Sequence, residues 1–483
     1  MSEPTPADYR TLLIEALGAA PDANTTGPGL RTLFTPSSHR LALDPDVTVV
    51  RGARGTGKTF WAKALVDERL REIAAASYMM PRLRRTRVIT AFGLGNEGTG
   101  EPPFPMKRTR EKLVNDGVDP QDLWSAIVLM ALDVPEVRSI DTWADRVRWA
   151  RANPEAYDTA IIRADRHSRD RGETLVLLFD ALDHLHGERG QADRLLSELF
   201  RLALELRLTT GTLRAKIFVR PDMYENAPKM FADASKLGAN ATDLEWSREN
   251  LYGLLFHQLG NHPTPEAEKF RAATGRWTDE DGRHVAPVDV VADRRRQEEV
   301  FITLAGPFMG TDRRKGHTYT WVPNHLQDGR GRVSPRTWLK ALCKAAVLTG
   351  ERHAGHPAPL HYEAIRQSLS FAAHNRVEEL QDDIGWAALA VEQLENSQVP
   401  LQPSALYYAW HQGSLAAKVK EHLEDPRSGS GPRALDNPAA VLEELIELGV
   451  MTRRSGEAID IPDIYRLAFD ISRKGGVPRM PVN

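Results

Sequence analysis

The sequence predicts an α/β chain: a doubly wound, mainly parallel sheet, then a helical region, then a small C-terminal helix–hairpin module. Three stretches carry that expectation. The β-branched run Val47-Thr48-Val49-Val50 leads into a glycine-rich loop and then a breaker-poor helix at 60–71. The apolar run Thr174-Leu175-Val176-Leu177-Leu178-Phe179 has the continuous hydrophobicity of a strand covered on both faces, and it ends in Asp180. Ala215-Lys216-Ile217-Phe218-Val219 is a third strand, closed by Arg220-Pro221-Asp222. With Val88-Ile89-Thr90-Ala91-Phe92 and 241–246 there are five strand candidates separated by helices, the alternation of a doubly wound fold.

Composition bounds the rest. A chain of 483 residues is too long for one core and implies two or three domains. We expect an N-terminal segment at 1–45, an α/β core at 46–260, a helical lid at 261–350 and a C-terminal helical, winged-helix-like domain at 351–483. The net charge of −3 produces no global attraction to nucleic acid. No apolar run reaches the ~18–20 residues of a membrane helix, and the opening MSEPTPADYR lacks the features of a signal peptide. Cys343 is the only cysteine, which excludes internal disulfides and fits the cytoplasm. It lies in the apolar helical run Trp338-Leu339-Lys340-Ala341-Leu342-Cys343, so it reads as core.

Taken in order, 7–19 is a helix candidate expected to lie across the α/β domain near its base, and 21–29 is a turn-rich linker. Gly52-Ala53-Arg54-Gly55-Thr56-Gly57-Lys58-Thr59 then satisfies G-x-x-x-x-G-K-[ST] in full, between a strand and a helix. Gly52, Gly55 and Gly57 permit backbone conformations that turn successive N–H groups, Thr56 included, toward one phosphate group. The helix N-terminus adds partial positive charge. Lys58 would reach the β- and γ-phosphates and the Thr59 hydroxyl would bind Mg²⁺, which makes this a nucleotide-binding P-loop.

The basic run Pro81-Arg82-Leu83-Arg84-Arg85-Thr86-Arg87 either meets phosphates of a nucleic acid or partner or is a solvated approach to the second strand. A polar loop at 93–105 and a mostly helical stretch at 119–170 follow. Asp180, at a strand's C-terminal end where open α/β sheets bind ligands, is the expected Walker B acid holding Mg²⁺ through water. Ala181 stands where many P-loop ATPases place a Glu, so Asp183 is the candidate base that orients the attacking water, or else a cap of the next helix. His184 and His186 read as a loop rim. An amphipathic helix at 191–208 precedes the Ala215–Val219 strand, whose terminal Arg220 would sense phosphate in cis or across a subunit boundary, or make an ordinary salt bridge.

The stretch 260–298 reads as hydrophilic and irregular. Ser334 as N-cap and Pro335 at the first helical position start a helix, placing Arg336 in a first turn where the helix dipole disfavours a cation. The nucleotide or a carboxylate would supply its anion. His353, His356 and His361 read as solvent-exposed loop residues. Helices are expected at 362–373 and 375–396, with a flexible loop at 426–436. The helix begun by Asn437-Pro438, followed by two short strands around Ser455-Gly456, has the form of a winged helix. Glu443, Glu444 and Glu447 on that helix argue against docking in a major groove.

GARGTGKT, LVLLFDALD, KIFVRPD and VSPRTWLKAL, in this order, resemble the bacterial P-loop ATPases of the additional-strand (ASCE) division, in the AAA+/STAND branch. That branch includes KAP-type and origin-recognition ATPases. The resemblance covers about residues 40–350; its departures are the long gap between Lys58 and Asp180 and the lack of an appended effector or repeat array. It implies an ATPase with ATP and Mg²⁺ as cofactors, a D-x-x-D acid pair at Asp180 and Asp183, Arg220 at sensor 1 and Arg336 at sensor 2. It also implies homo-oligomerisation in the nucleotide-bound state and output through a partner effector protein. The closing segments at 461–466 and 473–477 are similar to bacterial ATPases found beside defence genes, which implies an operon-encoded partner. Two rival readings are a DNA-associated initiator or loader and a small-molecule kinase; the lid arginine, the acid pair and the extra C-terminal domain disfavour the kinase. No N-K-x-D base-reading motif stands in a credible place, so ATP and GTP both fit.

Overall fold

The computed structural model describes residues 4–18, 27–94, 100–229, 231–425, 428 and 431–480. Parts of the expected linker at 21–29 and of the loops at 93–105 and 426–436 lie outside them. The chain forms two compact units, one of Pro21–Gly29 with Ser37–Glu245 and one of Met1–Ala20, Leu30–Pro36 and Trp246–Asn483.

The first unit is built on five parallel strands: β1 (Val49–Arg51), β2 (Thr86–Phe92), β3 (Thr174–Phe179), β4 (Leu213–Val219) and β5 (Ala241–Asp243), in the order β2-β3-β4-β1-β5. This is the α/β, additional-strand P-loop NTPase fold, because β4 is inserted between the P-loop strand β1 and the Asp180 strand β3. Helices cover both faces, as a doubly wound sheet requires. On one face Val49, Leu177, Phe179, Ile217 and Val219 share a core with Trp124 and Ile127 of the helix Pro120–Ala131 and Leu195 and Leu199 of the helix Arg189–Thr209. On the other, buried Val50, Val176, Leu178 and Phe218 alternate with these along the strands. The P-loop helix Lys58–Val66 contributes buried Trp61, Ala62 and Leu65.

The register decides which residues meet. Phe179 of β3 and Val49 of β1 both face Ile217 of β4, and the Gly52 N–H donates to the Val219 carbonyl (3.0 Å). Gly52, Arg220 and Asp180 therefore emerge at the same C-terminal edge of three adjacent strands, with Gly52 and Asp180 about 10 Å apart at two strand spacings.

The second unit has one continuous core, and this differs from the expected partition. The boundary expected at 260/261 falls inside the helix Arg248–Asn261, and the lid and C-terminal regions share one cluster containing Trp338, Leu342, Ile365, Leu369, Trp386 and Tyr465. The helix Pro6–Gly18 is also part of it, through Leu12, Leu13 and Leu17. It packs against the helix Pro335–Arg352 within this unit rather than across the α/β domain. The stretch 260–298 is ordered, with helices Pro265–Thr274, Val288–Ala292 and Arg294–Ala305 and an antiparallel pair Thr278–Glu280/Arg283–Val285. Pro265 at the first helical position and buried Ala267 and Phe270 explain the first of these helices.

The two helices expected at 362–396 are one element, Tyr362–Glu392, kinked at Ile384 (φ −146°, ψ 67°). The helix Pro438–Glu447 is followed by the short antiparallel pair Thr452–Arg453/Ile459–Asp460, the winged-helix-like ending. Among the described residues no helix is long and apolar enough to cross a membrane.

Candidate nucleotide site

The P-loop leaves β1 at Gly52 and enters its helix at Lys58. A Cβ on Gly52 would stand 2.5 Å from the Thr56 hydroxyl, so only glycine lets the loop close on itself there. Gly57, the helix N-cap, holds φ +104°, a region that side-chain-bearing residues avoid. Lys58 Nζ donates to the carbonyls of Gly52 (2.8 Å) and Ala53 (3.3 Å), which ties its ammonium across the loop.

Asp180 is buried at the tip of β3 and accepts hydrogen bonds from the Thr59 hydroxyl and the Ala181 N–H. Burial pushes its carboxyl up to about 6, against the pull of these two donors and of the Lys58 charge; nearby Asp183 raises it further. Its Oδ1 is buried and has no hydrogen-bond partner. A hydroxyl and a carboxylate in contact, with a carboxylate oxygen still unsatisfied, fit a small oxygen-seeking cation such as Mg²⁺. Ala181 takes up the left-handed conformation (φ +56°), uncommon for a residue with a side chain and of the kind that clusters at functional sites.

Arg220 caps the end of β4. It is buried, grips Asp222 with two hydrogen bonds (3.0 and 2.9 Å) and lies 3.5 Å from Asp183. Arg189 approaches Asp222 (3.7 Å) and bonds Asp193 (2.8 Å), so two arginines share three carboxylates beside the P-loop. Asp183 lies in the short 3₁₀ turn Leu182–His184, and the following helix has Glu188 at its N-cap, so Asp183 faces Arg220 rather than capping a helix. The structure thus brings Lys58, Thr59, Asp180, Asp183 and Arg220 together. Arg336 belongs to the second unit, where Ser334 caps its helix and Glu379 lies 3.7 Å from its guanidinium, the carboxylate alternative. No group of three or more metal-ligating side chains poised to hold an ion occurs among the described residues.

Three supports of the site are invisible as motifs. Arg110 is buried and donates to the carbonyls of His184, Leu185 (2.7 Å) and Pro105 (2.9 Å), and Glu111 accepts from the Gly187 N–H (3.0 Å). The helix Lys107–Asn115, in the long gap between Lys58 and Asp180, thereby clamps the loop after Asp183. Lys216, buried in β4, donates to the carbonyls of Ala42 (2.9 Å), Asp44 (3.0 Å) and Val47 (2.8 Å).

His39 joins the segment before β1 to the P-loop helix. Its Nδ1 accepts from the Trp61 indole N–H (2.9 Å), so the proton sits on Nε2, which donates to the Glu245 carbonyl (3.1 Å). Burial pushes His39 down to about 3. The folded value lies below the unfolded one, so the contribution to stability is complete above pH 6.5 and declines as pH falls toward 3, by about 1.4 kcal/mol per pH unit. His39→Gln, which keeps an acceptor and a donor without titrating, should flatten the acid limb of a urea-midpoint-versus-pH curve.

The histidines at 353–361 depart from the exposed-loop expectation. The His353 and His361 rings stack at 3.7 Å and His356 meets His361 edge-on at 4.6 Å, each half-buried. The basic run divides likewise: Arg82 is paired to Asp46, while Arg87 is exposed on β2.

No family model and no curated protein matches the chain. Among solved structures it is similar to Cdc6p from Pyrobaculum aerophilum (14% identity, TM-score 0.29, 87% of this chain and 84% of that one). It is also similar to the Aeropyrum pernix ORC2 protein in its ADPNP–ADP complexes (14% identity, TM-score 0.37, 88% of this chain and 86% of that one).

Proposed function

We propose that the protein is an ATP-binding and ATP-hydrolysing enzyme of the AAA+ type, acting as a nucleotide-driven switch that oligomerises and controls a partner protein. The observation that carries this reading is the convergence of Lys58, Thr59, Asp180, Asp183 and Arg220 at one sheet edge, with an unsatisfied oxygen on Asp180. Bound between Thr59 and Asp180, Mg²⁺ would neutralise phosphate charge as the γ-phosphoryl leaves.

Each side chain has a task. Lys58 exchanges two loop carbonyls for phosphate oxygens. Asp183, partly open to solvent, orients the attacking water and takes its proton. Arg220 is shared between Asp222 and Asp183, and a γ-phosphate competes with both for its guanidinium. That difference in contacts between ATP and ADP states is what a switch requires. Arg336, now near Glu379, is proposed as a second phosphate-sensing cation. The sequence similarity of the closing segments extends the proposal to bacterial antiviral defence, with an operon-encoded effector.

The DNA-loader reading draws less support. In the C-terminal module Arg453 pairs with Glu443 and Glu457, Arg454 with Asp460, and Arg433 with Glu444 and Glu447, so its cations are engaged internally. Mass photometry of wild type and Asp183→Ala with ATP and Mg²⁺ tests the switch. The expected result is an ATP-dependent oligomer that outlasts the wild-type one in the variant. A mass unchanged by ATP in both chains defeats the switch, and salt-dependent growth on DNA alone favours the loader.

A further inference from the structure

Among the described residues β2 pairs with β3 alone, and a groove of about 950 Å³ within the first unit is lined by both strands. One wall is the helix Pro154–Asp170, which contributes Glu155, Thr159, Arg163 and His167 at four-residue intervals, a single stripe along its length. Arg87 and Ile89, alternate residues of β2 and so on one face, line the other wall. Trp149, from the helix Trp143–Ala152, also lines it.

The groove is polarised along its axis. The helix ends at Asp170 and turns into the start of β3, so Arg163 and His167 lie toward the strand-start end, where Arg87 also sits. Trp149 and Glu155 lie toward the other end, where the helices Trp143–Ala152 and Pro154–Asp170 adjoin, with Glu155 and Arg163 about 12 Å apart along the helix. The carboxylate of Asp133, also in the lining, is taken by Arg138 (3.1 Å).

Arg87 and Arg163 differ from many other arginines of this unit. Arg82, Arg146, Arg189 and Arg214 each hold a carboxylate. The side chains of Arg87, Arg163 and His167 make no ion pair or hydrogen bond to any described residue, and they face the groove together. Two guanidinium groups left without a protein anion, with an imidazole beside them as a hydrogen-bonding group, around a cavity of ligand size suit an external anion.

We propose that this groove is a second ligand site, separate from the P-loop, for a phosphorylated aromatic molecule of mononucleotide size. The phosphate sits among Arg87, Arg163 and His167, and the ring stacks on Trp149. Glu155 accepts a hydrogen bond from a ring amino group. The 12 Å between the ends matches a nucleoside monophosphate in extended form.

The test is calorimetric titration of AMP and GMP into the Lys58→Ala chain, whose P-loop no longer competes. One nucleotide per chain is expected, with at least roughly tenfold loss of affinity on adding Arg163→Ala or Arg87→Ala, both at exposed positions. Trp149→Leu should weaken binding by roughly fivefold or more, while Trp149→Phe, which keeps a ring and tests the case where leucine disrupts folding, should retain it. Failure of both nucleotides to bind, or binding indifferent to Arg87 and Arg163, overturns the site. Orthophosphate binding as tightly as AMP overturns the aromatic half. Because the P-loop is disabled throughout, neither result depends on whether the protein hydrolyses ATP.

Discussion

Replacing Lys58 with alanine is expected to lower steady-state ATP hydrolysis by about 10²–10³-fold, the loss seen when one preorganised donor to developing phosphoryl charge is removed. The ammonium is held by Gly52 and Ala53 at 2.8 and 3.3 Å, contacts made with loop carbonyls rather than with a carboxylate. Its charge already acts on Asp180. Its removal should leave the nucleotide-free melting temperature nearly unchanged. The rise in that temperature that saturating ATP produces in wild type should disappear, since a ligand stabilises only the state that binds it. Phosphate-release kinetics and a melting curve with and without ATP read both effects. A variant that hydrolyses at the wild-type rate would remove the P-loop from the proposed mechanism.

The second large effect is on stability. Lys216→Met should destabilise the first unit by about 3 kcal/mol or more, because three carbonyls lose their shared donor and each buried unsatisfied group costs about 1–3 kcal/mol. Burial pushes the Lys216 ammonium down to about 7 against the favourable charges of Asp44 and Asp46, yet all three of its N–H bonds are directed at acceptors. Methionine fills the same volume, so packing is kept and the loss reports the hydrogen bonds. Amide exchange in β1 and β4 under native conditions measures it, with faster exchange in both strands expected. Arginine, with a planar fork, should not rescue three convergent carbonyls.

These two lysines show what sequence reading reaches. The loop around Lys58 is legible because its signal is local: eight consecutive residues set glycine, lysine and threonine in one turn between a strand and a helix. Asp180 is legible because an apolar run can end in an acid only where the strand leaves the sheet, and Arg220 follows by the same rule. Lys216 reads as one polar residue in an apolar strand, and its partners lie more than 160 residues away, beyond any periodicity. Arg110 and His39 are hidden for the same reason, since their bonds reach 75 and 206 residues along the chain. The ordered stretch at 265–274 had a readable signal in Thr264-Pro265 before it and Gly275 after it, masked by the charged residues between. The single core of the second unit has no local signature, because burial of Leu12 and Leu13 beside Trp338 and Leu342 is decided by which faces meet.

The interleaving of the two units along the chain bears on how such a protein can be cut and inherited. The chain passes from one unit to the other at 20/21, 29/30, 36/37 and 245/246. A gene fragment encoding 37–245 would carry the sheet and every nucleotide-site residue from Gly52 to Arg220. The remaining unit would then be left as pieces whose apolar faces, Leu12 and Leu17 on one and Trp338 and Leu342 on another, must find each other as separate chains. The α/β unit is therefore not a cassette that recombination can exchange at a single junction: its main stretch is bounded by two, at 36/37 and 245/246.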